Sequence, residues 1–372
     1  MNRAFGSTFL SFALILCPFG LTYSVDGQDQ SSNKDDSFAE NLILITIDGL
    51  RPEEVFGGAD VRLMTKEAGG VRGIKALKSR FLRDKENERR EALMPFFWNT
   101  IARKGQLIGD PSQGSEAKCT NGLYFSYPGY NELLSGRADP AIVSNAKKNN
   151  PNQTVLEWLN EKKEFNGRVA AFGSWDVFPF IINTDRSKIY VNAGWTPLDF
   201  GKASRLKELN EAADETPHVW PNVRFDLFTF EGAMEYLHAK KPRVLYVAFG
   251  ETDDWAHDGR YDLYLDSAFR TDRYINRLWE SIQKMPQYKG KTAMLITTDH
   301  GRGDGREGWK NHGITLPGSE NVWFAVMGKG VPALGNRKSI KVTQSQFAAS
   351  AAALLGKSFD AKGSAAAIQF KK

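Results

Sequence analysis

Five histidines occur in the chain, and three of them fall together with acids in segments that follow apolar runs. His257 comes four residues after Asp253 in "ETDDWAHDG", His300 directly follows Asp299 in "TTDHG", and His312 sits in "KNHGI". Imidazoles and carboxylates in combination suit borderline divalent ions, zinc above all. Asp48, which ends the run "NLILITID", brings the set to six: Asp48, Asp253, His257, Asp299, His300 and His312. One ion takes three or four protein ligands, so six serve a pair of ions that shares a bridging substrate. Such a pair suits an in-line displacement at phosphorus, one ion on the attacking oxygen and one on the leaving oxygen. His218 in "TPHVWP" and His238 in "MEYLHAKK" lack acid neighbours and read as ordinary surface or helix residues.

A displacement needs a nucleophile, and "YFSYPGYNELLSG" offers Ser126 in a turn-forming context ahead of a predicted helix. A hydroxyl there can be held beside the ions and supported by a helix N-terminus, which also attracts anions. Taken alone, Ser126 is better read as one loop serine among many, until the order of the motifs is considered.

The elements that must position these residues are legible as short β-branched and apolar runs. "NLILITIDGL", "RVAAFGSWD", "RVLYVAFGETD", "TAMLITTDHG" and "NVWFAVMGKG" read as buried strands. Between them lie helix-like segments such as "QTVLEWLNEKKEF", "FTFEGAMEYLHAKK" and "YLDSAFRTDRYINRLWESI". The alternation predicts an α/β fold with a mostly parallel sheet covered on both faces. Several of these strands carry acids just past their C-terminal ends, the edge at which open α/β sheets bind ligands. One site could therefore collect them all.

Composition agrees with a folded core: of 372 residues, 41% are hydrophobic and 25% charged. A net charge of +5 is small for this length, so no nucleic acid is expected as a stable partner. Residues 1–25 have the basic start, apolar middle and small residues near Ser24 of a signal peptide, which predicts a periplasmic or secreted protein with no membrane span after cleavage. Residues 26–40 read as a flexible linker, 41–360 as the catalytic domain and 361–372 as a polar C-terminal tail. Once a leader carrying Cys17 is removed, Cys119 is the single remaining cysteine and no intramolecular disulfide can form. Of the two mixed-sign segments, 79–93 reads as a solvated helix face sooner than as a polyanion patch, and 202–216 as part of a lid.

The order Asp, Ser, Asp-x-x-x-His, Asp-His, His resembles the alkaline phosphatase superfamily, and within it the type I phosphodiesterase/nucleotide pyrophosphatase branch. "LITIDGLRPEEVF" is similar to that branch's first metal-ligand strand, and "SYPGYNELLSG" matches the spacing of its nucleophile motif. "DPAIVSN" resembles the segment whose asparagine binds a phosphoryl oxygen, here Asn145, and "SQFAASAAALLG" resembles the last helix. The resemblance runs from about Asn41 to Phe359. It implies an alkaline-phosphatase-like three-layer α/β/α sandwich and two divalent ions, zinc first and manganese second. One ion would be held by Asp253, His257 and His312, the other by Asp48, Asp299, His300 and the Ser126 oxygen. Two departures stand out: serine replaces the branch's threonine nucleophile, and Gly129-Tyr130 replaces the Asn-His after its proline.

The implied activity is hydrolysis of small-molecule phosphoric esters through a phosphoserine at Ser126, resolved by water, with monoesters placed slightly ahead of diesters. The alternatives are a nucleotide phosphodiesterase or pyrophosphatase of the same superfamily, and a metal-binding protein without turnover. A monoesterase needs an extra cation for the additional phosphoryl charge, and Arg137, Arg186, Lys188 and Arg302 are the candidates. A diesterase of this branch would stack an aromatic on a base, for which Tyr127 is placed beside the nucleophile, with Tyr130 and Trp175 as helpers.

Overall fold

A computed structural model describes residues 37–370, which fall within one compact unit, Asp36–Lys372. The leader, Cys17, the linker as far as Asp36 and the last two lysines lie outside the described residues. The five apolar runs named above form strands as expected, and five short strands outside those runs join them. In chain order β1 is Asn41–Ile47, β2 Gly105–Ile108, β3 Glu116–Lys118, β4 Val169–Gly173 and β5 Tyr190–Ala193. Then follow β6 Val244–Phe249, β7 Thr292–Thr297, β8 Phe324–Gly328, β9 Gly335–Asn336 and β10 Lys341–Thr343. Eight of them make one sheet in the order β5-β4-β6-β1-β7-β8-β2-β9, while β10 and β3 pair separately. Within the large sheet the pairs that β8 makes with β7 and β2 are antiparallel, and the other pairs are parallel.

Both faces of the sheet are covered, which is why its strands are apolar throughout rather than alternating. Ile43, Ile45 and Ile47 of β1 enter one core, and Leu42 and Leu44 enter the core on the opposite face. Adjacent side chains on a strand point to opposite faces, so one run of seven residues feeds both layers. Each such fully buried aliphatic side chain contributes about 1.5–3 kcal/mol over leaving it in water. The Asp226–Lys240 and Tyr261–Lys284 helices pack into the first core through Phe230, Leu237, Leu265 and Ile275. The Ser126–Ser135 and Gln346–Leu354 helices pack into the second through Leu133, Leu134, Phe347 and Ala351. Helices on both faces of a mostly parallel sheet give the expected three-layer α/β/α architecture.

The two charged segments are helical, as Glu86–Leu93 and Ser204–Glu215, each burying only one or two leucines. Ile368 and Phe370, in the stretch assigned by sequence to a polar tail, are buried in the second core, and the Phe370 carbonyl accepts from Gln106 Nε2. Composition misses this because two apolar residues suffice to dock a short segment on an existing core. No helix among the described residues is long and apolar enough to cross a membrane.

Candidate metal centre

The middle of the sheet decides where the acids go. In register, Thr46 of β1 lies beside Ala248 of β6 and Thr297 of β7, so these three parallel strands end level with one another. Asp48 follows β1, Asp299 follows β7, and Asp253 stands in the Glu251–His257 helix just after β6. The turn into that helix is held by buried Asp226, which accepts from the N–H groups of Gly250 at 2.8 Å and Glu251 at 3.2 Å. Burial, reinforced by Glu251, pushes Asp226 up to about 7.

Two groups of ligand-type side chains result. His300 Nε2 lies 3.4 Å from Asp48 Oδ1, 3.3 Å from Asp299 Oδ2 and 3.4 Å from Ser126 Oγ. His257 Nε2 lies 3.2 Å from Asp253 Oδ2 and 3.1 Å from His312 Nε2, which in turn is 3.7 Å from Asp253 Oδ1. The groups adjoin, with His300 Nε2 3.9 Å from Asp253 Oδ1. All seven residues expected as ligands are therefore brought together.

The tautomers follow from backbone contacts. His300 Nδ1 donates to the Gly301 carbonyl at 2.9 Å, and His312 Nδ1 to the Tyr124 carbonyl at 3.0 Å. A carbonyl oxygen can only accept, so in the neutral ring each Nε2 keeps its lone pair facing the cluster, as a ligand must. Burial, and then His300, holds His312 well below the usual histidine range, which keeps that lone pair available.

The donor set fits bound cations on a second count. Asp48 Oδ1 and Asp299 Oδ2 are buried with no hydrogen-bond partner. Burial, and then Asp253, raises Asp48 well above the ordinary carboxylate range, while burial and then Asp48 do the same to Asp299. Buried carboxylates crowded together with orphaned oxygens are costly unless a positive charge compensates them. Asp253 differs. Burial works to raise it, but Arg302 leads the opposing charges, followed by His257 and His312, and holds it well below the usual range.

Ser126 is the first residue of the ten-residue Ser126–Ser135 helix and is 6% exposed, lining a cleft of about 350 Å³. Asn145 reaches the same cleft, and its amide oxygen accepts from Tyr127 N at 3.0 Å, which leaves its NH2 group as the donor. The Gly129-Tyr130 departure acquires a cause. A Cβ on Gly129 would lie 2.4 Å from the Asp299 carbonyl oxygen, so only glycine lets the helix approach the metal-ligand loop this closely. Tyr130 donates to Asp48 Oδ2 at 2.8 Å. Gln344 Nε2 clamps the junction, donating to both the Gly129 and Asp299 carbonyls.

The supporting residues expected from sequence are placed differently. Tyr127 is 3% exposed with its hydroxyl committed to the Lys148 carbonyl, and Tyr130 is 1% exposed, so neither can stack on a base. Trp175 lines the cleft. None of the four proposed cations lines it. Arg137 pairs with Asn152 and Asp139, Arg186 with Glu157, Lys188 is an exposed helix C-cap, and Arg302 is buried against Asp253. The cation that does line the cleft is Lys147, 2.6 Å from Asp176 Oδ2. Its one sequence signal was its place two residues after Asn145. His218 stacks on Trp195 and His238 contacts Ser281, both away from the cluster, as expected.

The family model described as type I phosphodiesterase / nucleotide pyrophosphatase matches residues 82–352, nearly three-quarters of the chain. The chain belongs to this family. Membership makes it a hydrolase of the alkaline phosphatase superfamily, and Asp48 lies ahead of the matched segment. Solved structures share the fold. The lipoteichoic acid synthase LtaP from Listeria monocytogenes is 9% identical, with 89% of this chain and 76% of that one covered and a TM-score of 0.56. The phosphonate monoester hydrolase of Agrobacterium radiobacter is 12% identical, covering 85% and 74%, at 0.52. A 2-O GAG sulfatase is 13% identical, covering 90% and 76%, at 0.53. No curated protein sequence matches the chain.

Proposed function

We propose that this family member hydrolyses phosphoric esters with Ser126 as the nucleophile and two divalent ions, zinc ahead of manganese, as its cofactors. The observation that carries the reading is the position of Ser126 Oγ, at a helix N-terminus and 3.4 Å from His300 Nε2 inside the acid–imidazole cluster. Asp253, His257 and His312 would hold one ion; Asp48, Asp299, His300 and Ser126 would hold the other. Bound there, the ions supply charge neutralisation at the phosphoryl oxygens and favour the ionised serine. The chain's own residues do the rest. Ser126 Oγ bonds to phosphorus as the ester's alcohol leaves, the helix N-terminus favours the negative charge gathered there, and Asn145 donates to a non-bridging oxygen. Water then hydrolyses the phosphoserine to phosphate and free serine.

Monoesters are placed ahead of diesters on one observation, the ammonium of Lys147 in the same cleft as Ser126 and Asn145. The family's own description, with Trp175 in the cleft wall, favours the second reading of a nucleotide diesterase. The 1–25 leader supports a periplasmic or secreted enzyme. The decisive experiment is turnover of p-nitrophenyl phosphate and of its bis ester, each with and without EDTA. EDTA-sensitive turnover of either ester is expected. Its complete absence in protein loaded with zinc or manganese would leave a metal-binding protein without catalysis.

A further inference from the structure

Arg302 is the residue of the centre that the hydrolytic reading leaves unused. It is 1% exposed, and all three nitrogens of its guanidinium are engaged. Nη1 contacts Asp253 Oδ1, Nε donates to the Trp309 carbonyl at 2.8 Å, and Nη2 donates to the Lys310 carbonyl. Those two carbonyls belong to the segment that leads into His312, so the same cation is tied to the backbone presenting one ligand and to the carboxylate of another. Its contact with Asp253 is packed against Gly49, where an added Cβ would lie 2.7 Å from both Arg302 Nη1 and Asp253 Oδ1.

The neighbouring group carries no such counter-charge in contact. Asp48 is met by the neutral Tyr130 hydroxyl and Asp299 by the Gly49 N–H at 3.2 Å, each leaving one buried oxygen unpartnered. Arg302 thus touches one group directly, at Asp253, and acts on Asp48 of the other only from a distance. A fixed cation against a ligand opposes a dication by repulsion, and this one also engages one of the two Asp253 carboxylate oxygens.

We infer that Arg302 makes the two ion sites unequal, so that the Asp253–His257–His312 site is the weaker and exchangeable one and the Asp48–Asp299–His300 site the tighter. This rests on the two-ion reading and adds a ranking to it. Zinc chloride titrated into chelator-stripped full-length protein, with bound zinc counted after equilibrium dialysis, should show two equivalents differing in affinity by roughly a hundredfold, the weaker being lost first to graded EDTA. His257→Ala should abolish the weak equivalent and spare the tight one. Arg302→Gln should tighten the weak equivalent roughly tenfold, whereas Arg302→Lys, which keeps the charge, should leave it weak. Two equivalents of equal affinity, or a weak equivalent loosened by Arg302→Gln, overturn the proposal while the two-ion reading stands. Fewer than two equivalents at saturating zinc overturn both. If Arg302→Gln does not fold, wild type against His257→Ala decides, since an equivalent lost first that survives His257→Ala contradicts the ranking.

Discussion

Ser126 and Lys147 face one cleft, and the proposed reaction gives the first the task of attacking and the second that of recognising charge. Ser126→Ala removes the attacking oxygen and leaves the carboxylates and imidazoles in place. We expect it to retain bound zinc and its melting temperature while kcat falls on the order of a thousandfold or more. Near wild-type rates would mean that water attacks directly. Lys147 is half exposed and held by Asp176, so its contribution to stability is small. Its effect should appear in selectivity, because a monoester dianion carries one more negative charge than a diester. Lys147→Ala should lower kcat/KM for p-nitrophenyl phosphate roughly tenfold, the worth of a charge-assisted hydrogen bond, and affect the bis ester less. An unchanged ratio between the two would remove the argument for monoesters.

At the scale of elements, the proposed reaction would depend on how closely the Ser126–Ser135 helix approaches the loop after β7. The helix itself needs no glycine at position 129, where alanine would raise its intrinsic helix propensity. The constraint is tertiary, with a new Cβ 2.4 Å from the Asp299 carbonyl oxygen. Because the obstacle is backbone, the helix or the loop must shift. Gly129→Ala should cost about 1–3 kcal/mol of stability, read as a lower melting temperature. It should also reduce kcat about a hundredfold through displacement of Ser126 relative to Asp299. A variant that melts later and turns over normally would show that the contact is slack.

For the molecule as a whole, the centre sits where β6, β1 and β7 end in the middle of the sheet, so ion binding and global stability are linked. An ion that binds the folded chain alone adds about 2.7 kcal/mol at a hundredfold excess over its Kd. Stripping the protein with EDTA should therefore lower the melting temperature by several degrees, and zinc should restore it. Asp299→Ala should fold, lose one equivalent of zinc and nearly all activity, and respond less to EDTA in its melting temperature. Equal melting temperatures of stripped and zinc-loaded wild type would argue against cations held by these buried acids.

The sequence alone determined β1, β4, β6, β7 and β8, because runs covered on both faces must be apolar along their whole length, and it marked the acids and histidines that interrupt those runs at their ends. The short strands β2, β3, β5, β9 and β10 carry too few residues to show such a pattern. It also carried the family, since order and spacing along the chain are all that the resemblance required. What it left open depends on which residues distant in the chain become neighbours. Arg302 was legible as a cation but not as a partner of Asp253, 49 residues away. Tyr127 and Tyr130 were legible as aromatics near a nucleophile, but helix packing buried them and turned Tyr130 toward Asp48. Glycine at 129 looked like a departure from the family motif until the Asp299 carbonyl was seen to fill the space a side chain would need. Residue type and local pattern decide what a side chain can do; burial and the distances between strand ends, which only the tertiary structure sets, decide what it is free to do.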